Sequence, residues 1–308
     1  MSIIGAVDIG GTKISVAMVS PEGELLAKAE GPTAPERGFD DGMARIRAML
    51  EETAAQAGGS FAGLGIGCTG RHDVLNGSLG DVGAFLPGWD GAPIARLLSE
   101  AFGVTAVLEN DCDAAALGEV AWGAGRGAQK FIYITVSTGI GGGLVFDGQL
   151  YRGVGGAHPE IGHHVIDPGG EKCFCGAHGC WESFASGPAM ARWWQARYPE
   201  PWDAGQICRA AAAGDERAKE AVEREARYLG IGLANLITLY APDCIALGGG
   251  VMRSLDLFLP TIRSVIQQQA GLVPHHKVRL VPARYGTEAV LMGAAKAWML
   301  RYGQKGIA

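Results

Sequence analysis

The sequence has neither a long apolar run nor a basic block. Its apolar runs fall far below the roughly 20 residues that a membrane-spanning helix requires, so we expect no contact with a membrane. The net charge of −6, without any Lys/Arg cluster, argues against nucleic acid as a partner. A secretory signal is also lacking, and the seven cysteines are an odd number. These two features predict a protein of the reducing cytoplasm.

The composition is that of an ordinary globular protein, with 48% hydrophobic and 19% charged residues. At 308 residues the chain is long for one core, which predicts two domains. We expect a smaller N-terminal α/β domain from residues 1–112 plus about 289–308. A larger α/β domain, residues 113–288, carries a loop rich in cysteine and histidine.

A strand, a glycine-rich turn and a second strand occur twice. The first copy has its turn at residues 8–13 and continues as a strand over 14–19. In the second copy, a strand over 131–136 leads into a turn at 137–143 and a strand over 144–146. The repeat predicts two related α/β domains facing each other across a cleft.

Strand and helix patterns alternate along the rest of the chain, which predicts sheets covered by helices on both faces. Further strands are expected at 61–66, 104–108, 244–247 and 278–281. Helices are expected at 42–57, 93–102, 114–122, 255–269 and 287–302, and through most of 188–240.

The two glycine turns are candidate phosphate sites. Each offers backbone N–H groups and a hydroxyl, Thr12 or Thr138, to phosphate oxygens, and Asp8 could hold Mg²⁺ through water. One such turn alone is typical of a simple hairpin, but two in matching positions favour phosphate binding. Neither fits a P-loop or a Rossmann turn. Residues 248–250, a run of three glycines before a helix, are either a plain turn or a surface for a nucleoside.

Cys173, Cys175 and Cys180 form a C-x-C-x4-C pattern, typical of three thiolates directed at one ion. A Cys₃His set suits Zn²⁺, whereas Mg²⁺ and Ca²⁺ prefer oxygen. His163 and His178 are the candidate fourth ligands, and we favour His163, because His178 is confined between two cysteines. A closed site of this kind is structural. The alternatives are a disulfide or a chance group of buried thiols.

An acidic cluster at residues 109–113 follows a predicted strand and precedes a helix, where ligands bind in α/β sheets. Asp111 or Asp113 could simply cap that helix. One of the two remains available as a general base for phosphoryl transfer.

Together these motifs resemble the ROK family of repressors and sugar kinases, over nearly the whole chain. The family has the actin-like ATPase and hexokinase fold, so the resemblance implies two actin-like (ribonuclease H-like) α/β domains. It implies an ATP- and Mg²⁺-dependent hexose kinase, forming a homodimer or homotetramer, with Asp111 as the base. Sugar binding is then expected at Gly70, Asn110, Asp111, Glu160, His163 and Glu182. ATP binding is expected at Asp8, Gly10, Gly11, Thr12, Lys13, Ser137, Thr138, Gly139, Gly248, Gly249 and Gly250, and structural zinc at His163, Cys173, Cys175 and Cys180.

Several positions depart from the family pattern and leave the sugar open. Asp113 stands where the family has asparagine, which adds a negative charge near the base, and Arg71 and Phe85 are also unusual. Glucose, fructose and N-acetylated hexosamines such as N-acetylmannosamine and N-acetylglucosamine all remain candidates. The alternative class of function is a transcriptional regulator that senses a sugar without phosphorylating it. We expect a kinase, because the first strand begins at Ile3 and leaves no room for an N-terminal helix-turn-helix.

Overall fold

The computed structural model describes residues 2–303, and strands and helices alternate along them. In chain order the β-strands are β1 (Ile4–Ile9), β2 (Lys13–Val19), β3 (Leu25–Pro32), β4 (Gly63–Cys68), β5 (His72–Asp73), β6 (Ser78–Leu79), β7 (Thr105–Asn110), β8 (Lys130–Val136), β9 (Ile140–Phe146), β10 (Gln149–Leu150), β11 (Cys244–Gly248) and β12 (Arg279–Pro282).

The α-helices over the same residues are α1 (Phe39–Gln56), α2 (Ile94–Phe102), α3 (Asp111–Trp122), α4 (Trp181–Ala185), α5 (Gly187–Gln195), α6 (Ala204–Ala212), α7 (Glu216–Tyr240), α8 (Leu255–Gln269) and α9 (Ala289–Tyr302). None of the helices within residues 2–303 combines the length and apolar character needed to span a membrane.

Two five-stranded sheets repeat one strand order. The first runs β3-β2-β1-β4-β7 and the second runs β10-β9-β8-β11-β12. In the first sheet β1 is antiparallel to β2 and parallel to β4, which is parallel to β7. In the second sheet β11 is parallel to both β8 and β12, and β10 is antiparallel to β9. The structure therefore confirms the α/β class and the internal repeat predicted from the two glycine turns.

The chain divides into two compact units. Unit 1 comprises Met1–Gly127, Gly143–Pro159 and Arg284–Ala308, and unit 2 comprises Ala128–Gly142 and Glu160–Ala283. The boundary predicted after residue 112 falls at the start of α3, whereas unit 1 continues through that helix to Gly127. The domain division expected from the sequence stays a prediction.

In unit 1 the sheet is covered by helices whose apolar side chains are buried. The apolar face of α1 is buried through Met43, Ile46 and Leu50. A second helix, α9, packs its backbone directly against the backbone of β4. A Cβ added at Gly65 of β4 would lie 1.8 Å from the Ala294 carbonyl oxygen. A Cβ at Gly293 of α9 would lie 1.4 Å from the carbonyl oxygen of a residue on α3, so only glycine permits this helix crossing.

Unit 2 is built around the long helix α7. Trp181, the first residue of α4, is fully buried, and its indole N–H donates to the Tyr228 carbonyl at 2.9 Å. Its ring lies against α7 at Gly232, where an added Cβ would be 2.1 Å from the indole. Because Trp181 directly follows Cys180, this packing fixes one end of the cysteine-rich loop to the core of the unit.

Candidate active site

In unit 1 the carboxyl ends of three neighbouring parallel strands gather candidate residues along one edge of the sheet. Asp8 pairs in register with Gly67, and Cys68 pairs with Asn110, so β1, β4 and β7 end side by side. The Asn110 side-chain amide donates to the Gly70 carbonyl at 3.1 Å. The structure thus brings Asp8, Gly70, Asn110 and Asp111 to one edge, where ligands of α/β sheets bind.

The helix-capping interpretation of the acidic cluster is wrong. Asn110, rather than Asp111 or Asp113, caps α3, and its side-chain oxygen accepts from the backbone N–H groups of Cys112 and Asp113 at 2.8 and 3.2 Å. Asparagine is as good a cap as aspartate. Asp111, the first helical residue, has one carboxylate oxygen within 2.8 Å of the Cys112 N–H and is partly buried.

The charge of Asp111 opposes the ionisation of Asp8. Burial and the charge of Asp111 raise the pKa of Asp8 to about 7, against the pull of Lys13 and Lys28. Burial also raises the pKa of Asp111, while the Cys112 N–H and the charge of His158 lower it. Two crowded carboxylates are a fitting environment for a divalent cation, and oxygen ligands are those that Mg²⁺ prefers.

Replacing Asp8 by asparagine is expected to raise the free energy of unfolding at pH 8 in the absence of ATP and metal. The pKa of Asp8 is near 7 in the folded chain and 3.8 in the unfolded chain. The stability linked to this carboxyl is therefore fully present below pH 3.8 and is lost as the pH rises through about 7. The loss is at most on the order of 4 kcal/mol, and asparagine avoids it.

Urea unfolding at pH 8 and pH 4.5 measures this effect, and the gain should shrink at the lower pH. Asp81→Asn, at a carboxylate whose side chain is 74% exposed, is the control and should change little at either pH. An equal gain for Asp8→Asn at both pH values would contradict the assignment of the effect to ionisation.

The first glycine turn connects β1 and β2. Gly10 N–H donates to the Lys13 carbonyl at 2.9 Å, and Thr12 is exposed. The Lys13 ammonium lies 3.1 Å from a carboxylate oxygen of Glu30, so in this structure it forms an ion pair on the strand beside it. Gly11 lies against the backbone of Phe85, where an added Cβ would be 3.3 Å from the carbonyl oxygen.

In unit 2 the second glycine turn and the triple glycine lie side by side. The turn connects β8 and β9, and the Ser137 N–H donates to the Gly139 carbonyl at 2.9 Å. Ser137 and Thr138 are exposed. Gly249 has a left-handed φ of 91°, and a Cβ there would lie 2.3 Å from the Val136 carbonyl oxygen. A Cβ on Gly250 would lie 3.7 Å from Ser137 Oγ, so two of the predicted ATP segments adjoin.

Glu182 is fixed at the same turn. The backbone N–H of Ile140 donates to Glu182 Oε2 at 2.8 Å, and that oxygen would be 2.3 Å from a Cβ on Gly139. Gly162 touches the other side of Ile140, since its Cβ would lie 1.9 Å from the Ile140 carbonyl oxygen. Glu160, by contrast, is exposed. Ile140, the first residue of β9, therefore contacts both Glu182 and the segment that contains His163.

His163, Cys173, Cys175 and Cys180 form a candidate metal centre, with their ligand atoms all within 4.8 Å of one another. Cys173 Sγ lies 3.5 Å from His163 Nδ1, and Cys175 Sγ lies 3.5 Å from Cys180 Sγ. Tetrahedral zinc places bound sulfurs about 3.8 Å apart and a sulfur and a nitrogen about 3.6 Å apart. The donor set and spacing therefore fit Zn²⁺, with a contraction of about 1 Å at the widest pair.

The disulfide alternative for the cysteines is not observed. All seven cysteines are free thiols, so no disulfide joins them. His178 lies outside the cluster: it is exposed, and its Nδ1 is 3.3 Å from the Gly170 carbonyl oxygen. The structure thus places His163 with the three sulfurs.

Sequence reasoning assigned no role to Arg152 or His158. Arg152 pairs with Glu109 and Asp113, and His158 Nδ1 lies 2.9 Å from Asp113 Oδ1. The negative charge expected from Asp113 is therefore compensated. The contacts join positions about 40 residues apart in the chain, and no local pattern marks them. Arg71, another departure, forms an exposed pair with Asp81.

Comparison with known proteins gives consistent matches over the chain. The sequence profile of the ROK family matches residues 4–301. A glucokinase of Thermotoga maritima is 34% identical over 280 residues, which cover 86% of this chain and 87% of that protein. A crystal structure of a ROK hexokinase from Thermus thermophilus has a TM-score of 0.84 and 36% identity, covering 98% of this chain and 99% of that one. A ROK family glucokinase from Streptomyces griseus, solved in complex with glucose and AMPPNP, has a TM-score of 0.79 and 31% identity, covering 96% of this chain and 98% of that one.

Proposed function

The chain belongs to the ROK family, and from this premise we propose that it is an ATP-dependent sugar kinase that phosphorylates a hexose at its primary hydroxyl. We assign Asp111 as the general base. Glucose is the first candidate substrate, since the relatives of known activity include glucokinases and one of them was solved with glucose. Fructose, N-acetylmannosamine and N-acetylglucosamine are the alternatives.

The observation that carries the proposal is the pair of carboxylates at the carboxyl edge of the first sheet. Asp111 begins a helix at the end of β7, and Asp8, the next-to-last residue of β1, lies close enough for the charge of Asp111 to raise the pKa of Asp8. We assign the cation to Asp8, whose ionisation a bound cation would favour, and the proton of the sugar hydroxyl to Asp111. In the transfer, the hydroxyl oxygen bonds to the γ-phosphorus as the bond from that phosphorus to ADP breaks, and the proton passes to Asp111.

For ATP, we assign phosphate binding to the two glycine turns and nucleoside binding to residues 248–250. Their exposed hydroxyls and backbone N–H groups suit phosphate oxygens, and Gly250 adjoins Ser137 of the second turn. Mg²⁺, held by Asp8 through water, would neutralise the phosphate charge. Lys13 would first have to leave Glu30, whose pairing is exposed and weak.

For the sugar, we assign hydroxyl binding to Gly70, Asn110, Glu160, His163 and Glu182. Zn²⁺ would be held by His163 with Cys173, Cys175 and Cys180, and its role is structural, because four protein ligands leave no open position. The geometry supports this role, since Glu182 follows Cys180 by two residues and is fixed by the Ile140 N–H. The predicted homodimer or homotetramer and the cytoplasmic location remain part of the proposal.

A coupled assay of ADP release over a panel of hexoses tests the proposed function. We expect sugar-dependent ATP consumption, with kcat/KM highest for glucose among glucose, fructose, N-acetylmannosamine and N-acetylglucosamine. A higher value for another sugar would overturn the glucose assignment. Sugar binding seen by calorimetry without any ATP consumption would overturn the kinase and favour a sugar-sensing regulator.

A further inference from the structure

Asp113 is a buried carboxylate that lies beside an arginine and a histidine. It lies two residues after the proposed base, and its side chain is fully buried. One oxygen pairs with the Arg152 guanidinium, and the other lies 2.9 Å from His158 Nδ1, although these two atoms are not aligned as a hydrogen bond. A buried carboxylate is tolerated only when such partners compensate its charge.

Arg152 connects the two sides of the corner that carries Asp111. Its second guanidinium nitrogen pairs with Glu109, the next-to-last residue of β7, while the first pairs with Asp113 on α3. Glu109 and Asp113 thus enclose Asn110 and Asp111 in the sequence. A planar guanidinium fork holds two carboxylates in fixed directions, which an ammonium does not.

The same carboxylate also holds both ends of a small closed loop. The Gly153 N–H donates to the Ala157 carbonyl at 2.8 Å, which closes the loop at its base. Arg152 precedes this closure and His158 follows it, and both contact Asp113. At the loop tip Val154 is 95% exposed, so the tip itself contributes little packing. Asp113 therefore contacts the residues at both ends of the loop.

We propose that Asp113 and Arg152 are positioning residues for the kinase reaction, holding the Asn110–Asp111 corner and the loop from Arg152 to His158 in the geometry that activates the sugar hydroxyl. This inference rests on the proposed function. The two residues do not contact the substrate; they act through Asp111 and through His158, which stands two residues before Glu160.

The electrostatics of the corner agree with this role. Burial raises the pKa of Glu109 to about 7, and Arg152 is the main influence that lowers it again. The charge of His158 lowers the pKa of Asp111, against the effect of burial. Around His158 the other titratable neighbours are Asp113 and the partly buried His72, whose pKa burial lowers. Asp113 itself raises the pKa of Asp111, and the pairing of Asp113 with Arg152 offsets its charge.

A double-mutant cycle of Asp113→Asn and Arg152→Gln tests the proposal. Each single variant should lower kcat/KM for the sugar by about 10²-fold, the scale of a displacement of about 1 Å, with KM for ATP within about twofold of wild type. Because both residues act through one contact, the kcat/KM of the double variant should be no lower than that of the less active single variant. Methylguanidinium should restore part of the activity of Arg152→Ala, because it can reoccupy the space between Glu109 and Asp113.

The matched control is Arg96→Ala, which removes a surface pair with Glu100 whose side chains are 59% and 60% exposed. It should leave kcat/KM unchanged. Losses that multiply in the double variant would overturn the shared role, and so would a normal kcat/KM for the folded fraction of either single variant. Variants that do not fold are replaced by Arg152→Lys, which keeps the charge without the fork and should still lower kcat/KM. If wild type itself consumes no ATP with any sugar, the proposed function fails instead.

Discussion

Replacing Asp111 by asparagine is expected to lower kcat by about 10²- to 10⁴-fold, the usual contribution of a general base. Asparagine has nearly the same shape, and the Asn110 cap that starts α3 does not depend on the Asp111 charge. The sugar should therefore still bind, within a few-fold of the wild-type Kd by calorimetry. The loss belongs to the proton-transfer step, and the measurement is single-turnover phosphorylation at saturating sugar and ATP.

The control for this substitution is Asp81→Asn, which alters an exposed carboxylate of the same unit. Its kcat should equal that of wild type. Equal turnover by wild type and Asp111→Asn would remove Asp111 as the base. Loss of sugar binding in Asp111→Asn, with kcat extrapolated to saturation unchanged, would assign the residue to binding alone.

Loss of one zinc ligand is expected to abolish sugar binding. Cys180 is fully buried, and Cys180→Ala should reduce bound zinc from one equivalent per chain to a small fraction. The ion would join four residues of the loop between His163 and Trp181, so its loss should disorder that loop. Mutating a residue that hydrogen-bonds to a metal ligand typically lowers metal affinity or activity by about 10–100-fold. Removing a ligand itself should therefore weaken sugar binding by more than about 100-fold.

The matched control is Cys208→Ala, since Cys208 is also a buried free thiol but lies on α6, outside the cluster. It should keep its zinc and bind sugar with a Kd near the wild-type value. Elemental analysis counts the zinc, and calorimetry with glucose measures the binding. A strong chelator gives the same test on the wild-type chain. Sugar binding that persists after verified zinc loss would contradict the structural role of the ion.

The fold could be predicted largely because its signals are local. Each glycine turn between two strands, at residues 10–12 and 137–139, marked the start of one sheet, and both sheets follow with the same strand order. The buried face of α1 was readable from the spacing of Met43, Ile46 and Leu50. The division into units was harder to place, because unit 1 takes up a separate segment, Gly143–Pro159, that no composition change marks.

The candidate site was predictable only where its residues are close in sequence. The cysteine spacing indicated a metal centre because three ligands lie within eight residues. The sequence did not predict which side chain caps α3, because Asn110, Asp111 and Asp113 are all good helix caps. Only the fold selects Asn110. The pairing of Asp113 with Arg152 spans 39 residues and depends on a loop whose path the sequence does not indicate.

The position of the transferred phosphoryl group tests the central claim most directly. Phosphorus NMR of the product formed from ATP and glucose should show a phosphate coupled to the two protons of the primary carbon for the wild-type chain. Asp111→Asn should give the same product at a rate lower by about 10²-fold or more. A phosphate on a ring hydroxyl, or an equal rate for the two chains, would contradict the account.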